Sequence, residues 1–102
     1  MSAPKKGGDS SIVQWQINDC DEETSERCVE SARGALKAFA GGDIKRFSDM
    51  AKIIHEAMAE VAGGGSWHTI VGKSYGSFVT HEVASTMSFS VGNVYFLVWR
   101  HG

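Results

Sequence analysis

A chain of 102 residues with 42% hydrophobic and 22% charged side chains is sized and composed as one soluble domain with a single modest core. Its formal net charge of −2 excludes a general binder of nucleic acid or anionic membrane, which needs a basic surface; the short Lys45-Arg46 pair is at most a local patch. No apolar run is long enough to span a bilayer, and the charged start Met1-Ser2-Ala3-Pro4-Lys5-Lys6-Gly7-Gly8 leads into no hydrophobic region, so it does not read as a secretory signal.

Residues 1–11 are rich in Gly, Ser, Lys and Asp and read as a disordered tail, leaving residues 12–102 as the domain. Ile12 to Ile17 is a short apolar strand. Asn18-Asp19-Cys20-Asp21-Glu22-Glu23 then offers N-cap residues and first-turn acids. Cys28, Val29, Ala32, Ala35, Leu36 and Phe39 recur at the spacing of one helix face, and Ala40-Gly41-Gly42 ends that helix. A second helix is expected with Ser48 as its N-cap and Met50, Ile53, Ile54, Ala57, Met58 and Val61 as its stripe, broken by Gly63-Gly64-Gly65.

From Ser66 onward the chain favours strand. Trp67 to Gly72 and Tyr75 to Glu82 are adjoining candidates, separated only by Lys73-Ser74. Ser85 to Val91 alternates, with Met87, Phe89 and Val91 on one face and Thr86, Ser88 and Ser90 on the other. Gly92-Asn93 is a two-residue hairpin turn, and Val94 to His101 is apolar on both faces through Trp99, as in a central covered strand. The expected fold is α+β: strand, helix, helix and four strands, with two helices packed on a five-stranded antiparallel sheet.

Several motifs have a chemical look and a plainer reading. Gly72-Lys73-Ser74 ends like a phosphate-binding loop, but Trp67 stands where that loop needs glycine, and a strand follows where a helix should. His68 and His81 lie on adjoining strands without a third ligand at supporting spacing; His55 sits on the polar side of the second helix and His101 at the chain end. No metal site or cofactor is therefore expected. Neither His68 near Ser66 nor His81 near Ser77 and Glu82 comes with a nucleophile elbow or oxyanion donors. Cys20 and Cys28 fit no metal or redox spacing, and both are expected as free thiols, with Cys28 a small buried apolar side chain.

The sheet itself is the unusual part. A short chain with this much β surface cannot close a barrel, so its edges must pair with another molecule or capture an extended segment. Lys73-Ser74 either makes a tight turn or lets the following strand run on to a second molecule. Gly76 and Ser77 leave little bulk beside the backbone, which suits the close approach of another strand.

The residues Trp67-His68, Ile70-Val71-Gly72, Gly76-Ser77, Val79-Thr80-His81-Glu82, Gly92 and Gly102, with Ala32, Ala35-Leu36, Asp49 and Ile54 in the helices, closely resemble the small dynein light chains, a dimeric hub family. The match is dense from Ser66 to Glu82 and thinner elsewhere. The resemblance implies a strand-exchanged dimer without a catalytic centre. Trp67, His68, Thr69, Ile70, Val71 and Gly72 would form the dimer interface, His68 matching a histidine whose protonation weakens the family dimer. Ser74, Tyr75, Gly76, Ser77, Phe78, Val79, Thr80 and His81 would line a groove that takes a peptide as an added strand, together with Ser48, Ser88 and Ser90. The implied partners are a second copy or a related light chain and a dynein intermediate chain, with no nucleic acid or membrane partner, in the cytoplasm and cytoskeleton.

Four departures from the family pattern point to a specialised paralogue. The connection from Ala40 to Phe47 is long, Ser48 stands at a position where the family has a peptide-contacting lysine, and His101 replaces a phosphorylatable serine. Ser88 and Ser90 replace groove aromatics, and Thr86 replaces another. Each lost ring contact is worth about 0.5–1.5 kcal/mol beyond its area, whereas backbone hydrogen bonds do not depend on it. The Trp99-Arg100 ending leans toward an axonemal branch, in a cilium or flagellum. Two alternatives stand beside the dimeric adaptor: an obligate heterodimer subunit with an altered groove, and a small enzyme using His81 or Cys28, which requires a depressed thiol pKa or a concave pocket.

Overall fold

The computed structural model describes residues 12–61, 65–73 and 86–101, His101 by its backbone only. Six elements follow in order: β1 (Val13–Asn18), α1 (Glu22–Ala40), α2 (Phe47–Met58), β2 (Ser66–Gly72), β3 (Thr86–Val91) and β4 (Val94–His101). The described strands form one antiparallel sheet in the order β1-β3-β4-β2. This is the expected α+β arrangement with four strands; the fifth, expected over Tyr75 to Glu82, lies outside the described residues, as do the tail over residues 1–11 and Gly63-Gly64.

The helix starts show how side chains set the boundaries. Asp21 caps α1: its carboxylate accepts the Thr24 backbone N–H at 2.8 Å, and Glu22 and Glu23 add negative charge to the first turn. The far end closes where the Gly41 N–H reaches the Lys37 carbonyl at 2.9 Å, followed by Gly42 at φ +86°, a conformation that favours glycine. The start of α2 differs from expectation. Arg46, not Ser48, is the N-cap, and Asp49 three residues on accepts the Arg46 backbone N–H at 3.2 Å. A carboxylate reaching back to the cap amide does the work of half a capping box, so the cap residue itself needs no acceptor. Ser48 is an exposed residue of the first turn. The helix ends at Met58, before the glycines expected to break it, and Val61 packs against the core from the turn beyond.

Cross-strand partners share a face, so the register sorts the sheet. Met87 faces Val98, Phe89 faces Phe96, and Val91 faces Val94 across the Gly92-Asn93 turn, where Gly92 takes φ +63°. These six side chains are all buried and meet Cys28, Ala32, Ala35, Met50, Ile54 and Met58 of the helices in one cluster. Phe89 stacks on Phe96 with ring centroids 5.2 Å apart, and Trp15 of β1 closes on Phe89 at 4.9 Å. The opposite face carries Thr86, Ser88 and Ser90 of β3 with Tyr95, Leu97 and Trp99 of β4. The alternation expected for β3 is observed, yet all six of its residues are buried, including the polar ones. β3 is an interior strand, and Ser88 is flanked by Ile17 and Leu97.

The helices do not cover the sheet evenly. α1 packs along α2 and α2 lies over β2, whereas α1 meets the sheet only sparsely, at β3. His55 of α2 ties the two layers, its Nδ1 donating to the Trp67 carbonyl at 2.8 Å.

Phe89→Ala removes the ring shared by Trp15 and Phe96 and should lower unfolding free energy by about 3–5 kcal/mol in a denaturant titration. The Asp21 carboxyl is held below its ordinary value by its bonds to Thr24. Its contribution is thus present above the usual aspartate range and is lost as pH falls through the lowered folded value. Asp21→Ala should reduce the melting temperature at neutral pH, with the difference from the parent chain disappearing in strong acid.

Candidate functional site: the β2 edge and the sheet face beside it

Strand β2 pairs with β4 along its whole length, from Ser66 opposite His101 to Gly72 opposite Tyr95, and among the described residues no strand lies on its other side. Among the described residues it is therefore an edge, with a row of backbone groups on its outer side. Its β-branched and aromatic residues suit a pleated strand, and the pleat divides them.

Trp67, Thr69 and Val71 point to the helix side, in line with Arg100, Val98 and Phe96. Trp67 is only 3% exposed, and the Arg100 guanidinium lies 4.6 Å over its ring, a cation–π contact in a dry place. His68 and Ile70 point to the other face. His68 is exposed and stacks on Trp99 at 5.2 Å, and Ile70 is 42% exposed beside buried Leu97. Of the six interface residues expected from sequence, His68, Ile70 and the half-buried Gly72 stand on the helix-free face, and Trp67 and Val71 pack into the protomer core with Thr69 on their side of the strand; the backbone edge runs along all six.

Ser88 and Ser90 share that helix-free face but sit on interior β3, buried, two strands from β2. Ser48 is exposed on α2. The residues expected to carry peptide recognition, Ser74 to His81, lie outside the described residues. Buried polar atoms without a hydrogen-bond partner among the described residues include Trp67 Nε1 and Thr69 Oγ1 on the helix side of β2, and Ser88 Oγ on the opposite face. Such groups are nearly always satisfied in a finished protein.

Burial, with a smaller contribution from Cys20, pushes the Cys28 thiol up to about 12, the reverse of nucleophile activation. Burial likewise raises the Cys20 thiol, with Asp19 adding to it, and both cysteines are free. Among the described residues no group of three His, Cys, Asp or Glu is placed to hold a metal ion, and no helix is long and apolar enough to cross a membrane. Sequence reasoning missed the His55–Trp67 and Arg100–Trp67 contacts, because both join segments far apart in the chain; the paired Trp67 and Arg100 become visible only with the register in hand.

The fold and edge described above coincide with a known family: a model described as "Dynein light chain type 1" matches residues 13–101. The chain belongs to the dynein light chain family. Among curated members of that family, the cytoplasmic dynein light chain 1 of Saccharomyces cerevisiae is 46% identical over 85 residues, covering 83% of this chain and 86% of the relative. That of Debaryomyces hansenii is 33% identical over 87 residues, covering 85% and 89%. The cytoplasmic dynein light chain of Emericella nidulans is 30% identical over 100 residues, covering 98% of each. Among solved structures, the dynein light chain-like domain of the Fasciola hepatica calcium binding protein FhCaBP2 superposes with a TM-score of 0.75 at 20% identity, over 97% of this chain and 100% of that one, which establishes a shared dynein light chain-like fold.

Because the Cys28 thiol is held protonated in the fold, stability tied to it is intact below the ordinary thiol value of 9.0 and is lost as pH rises toward about 12. Cys28→Ala should show less alkaline destabilisation than the parent chain over that window. Iodoacetamide at neutral pH should label Cys28 only after denaturant is added; rapid labelling of the native protein would contradict the burial.

Proposed function

We propose that this chain is a non-catalytic light-chain subunit of a dynein motor, acting as a dimeric adaptor for extended segments of other chains. The observation that carries the reading is β2: an edge strand with one paired side, next to a sheet face on which Ile70 is exposed and His68 stacks on Trp99. Family membership and the names of the yeast relatives supply the motor. Cytoplasm and cytoskeleton are the matching location.

The mechanism is backbone chemistry. The segment from Tyr75 to Glu82 crosses to a partner protomer and pairs with the outer edge of its β2, removing both exposed edges at once. Ile70 loses its water contact against the partner's sheet, and the unpartnered Trp67 Nε1 and Thr69 Oγ1 lie beside the edge where new groups arrive. An extended client then adds to the crossed strand along Ser74 to His81. Two parallel grooves hold paired intermediate chains, and effective concentration turns two weak contacts into a firm one. His68 lies on the same face as Ile70.

A related reading keeps the adaptor and changes the partner: Thr86, Ser88 and Ser90 on one sheet face favour a related light chain in a heterodimer, as in an axonemal dynein. Native mass spectrometry after co-expression separates the two, since a purely self-paired species removes the heterodimer.

Sedimentation at micromolar concentration and neutral pH should give a dimer, and Ile70→Asp should weaken it by roughly tenfold or more, about 1.4 kcal/mol. Calorimetric titration with a glutamine-centred intermediate-chain peptide should show one peptide strand per protomer. A bivalent form should bind at least about 100-fold tighter than a monovalent one. A monomer that binds neither form overturns the proposal.

A further inference from the structure

The opposite edge of the sheet has its own opening. β1 pairs only with β3, and among the described residues no strand lies outside it. Above it, where α1 stands off from the sheet, lies an open cavity of about 410 Å³ walled by β1 and α1. That volume falls within the ~300–1,000 Å³ usual for small-ligand sites. Its apolar surface comes from Val13, Trp15 and Val29, and its rim carries Glu26, Glu30 and Arg33.

Three observations define what fits. Trp15 is 39% exposed while its other side rests on Phe89, so a large rigid ring is fixed in place with one face toward the cavity mouth, the kind of residue that anchors interfaces. Ile12, just before β1, is 73% exposed, so the strand's N-terminal end is open to solvent. Glu26 and Glu30 are four residues apart on α1, so both carboxylates stand on the helix face toward the cavity, with Glu22 one turn earlier on the same row. Against one Arg33, the rim is acidic.

We infer that the β1–α1 groove is a second docking site, separate from the β2 edge, for an extended basic segment of a partner protein carrying one apolar residue flanked two positions away by arginine or lysine. Residues i−2, i and i+2 of an added strand fall on one face. With the strand laid beside β1, the central apolar side chain enters the cavity against Trp15 and Val29. The flanking cations extend to Glu26 and Glu30 on α1. The register break between Trp15 and Ile17 limits regular pairing to the N-terminal half of β1. Few backbone bonds are therefore available, and charge supplies much of the attraction, which makes the binding weak, fast and sensitive to salt.

The test uses the full chain, isotope-labelled, and a capped heptapeptide of threonines with leucine at its centre and arginine two positions to either side. The expected result is a saturable shift of the Trp15 indole N–H and of the Val13 and Val29 signals. The midpoint should weaken at least tenfold in the double variant Glu26→Lys, Glu30→Lys, and again on raising salt. A control peptide with glutamate in place of arginine should produce no shift. Because both glutamates are exposed, the double variant should keep its dispersed spectrum and its response to the intermediate-chain peptide, which separates this site from the β2 edge. The inference is overturned by an absent response, by shifts confined to β2 and residues 74–81, by equal binding of the glutamate peptide, or by binding that appears only after residues 1–11 are deleted. The last result would show the chain's own N-terminal segment to be the occupant.

Discussion

Phe89 and Phe96 lie ring on ring across the β3–β4 pair, and the organisation of the domain depends on that contact. The Gly92-Asn93 turn fixes the register that brings them opposite, since a slip of one residue would turn both rings to the wrong face. With the register set, Met87, Val98, Val91 and Val94 fall on the same side, and the helices have one continuous apolar surface to cover. β4 is thereby placed in the interior, with β2 on one side and β3 on the other. Among the described strands, β1 and β2 are left as the edges.

The helices then make the edges unequal. α2 lies over β2 and is tied to it through His55, so the β2 edge is backed by a filled core. α1 stands off from β1 and leaves a cavity with Trp15 in its wall. Such backing suits a permanent partner that pairs along the whole of β2. A looser edge with an acidic rim suits a partner that comes and goes. The difference traces to where the helices pack, since both strands are short and both are open on one side among the described residues.

Much of this arrangement could be read from the chain. The alternation of Met87, Phe89 and Val91, the doubly apolar run from Val94 to Trp99, and Gly92-Asn93 between them define a hairpin whose second strand is interior, because a period of two and a continuous run have different physical meanings. Residue type misled where function passes to a neighbour. Ser48 has the side chain of an N-cap, but Asp49 supplies the acceptor to the Arg46 backbone instead, so the helix begins earlier. In β2 the pleat splits the side chains from Trp67 to Gly72 between the core and the opposite face, while the backbone edge runs along all of them. The β1–α1 cavity was not legible at all, since it depends on a helix-to-sheet separation that no local pattern encodes.

That split in β2 has an evolutionary consequence. Trp67, Thr69 and Val71 answer to the helices and to Arg100, so substitutions there are screened by folding. His68 and Ile70 answer to whatever lies against the opposite face, and the main-chain pairing between them is indifferent to both. Descendants of a duplicated gene can therefore drift toward new assembly partners through two alternate codons while inheriting the same scaffold. A lineage of light chains with one architecture and many allegiances is the expected product of such a strand.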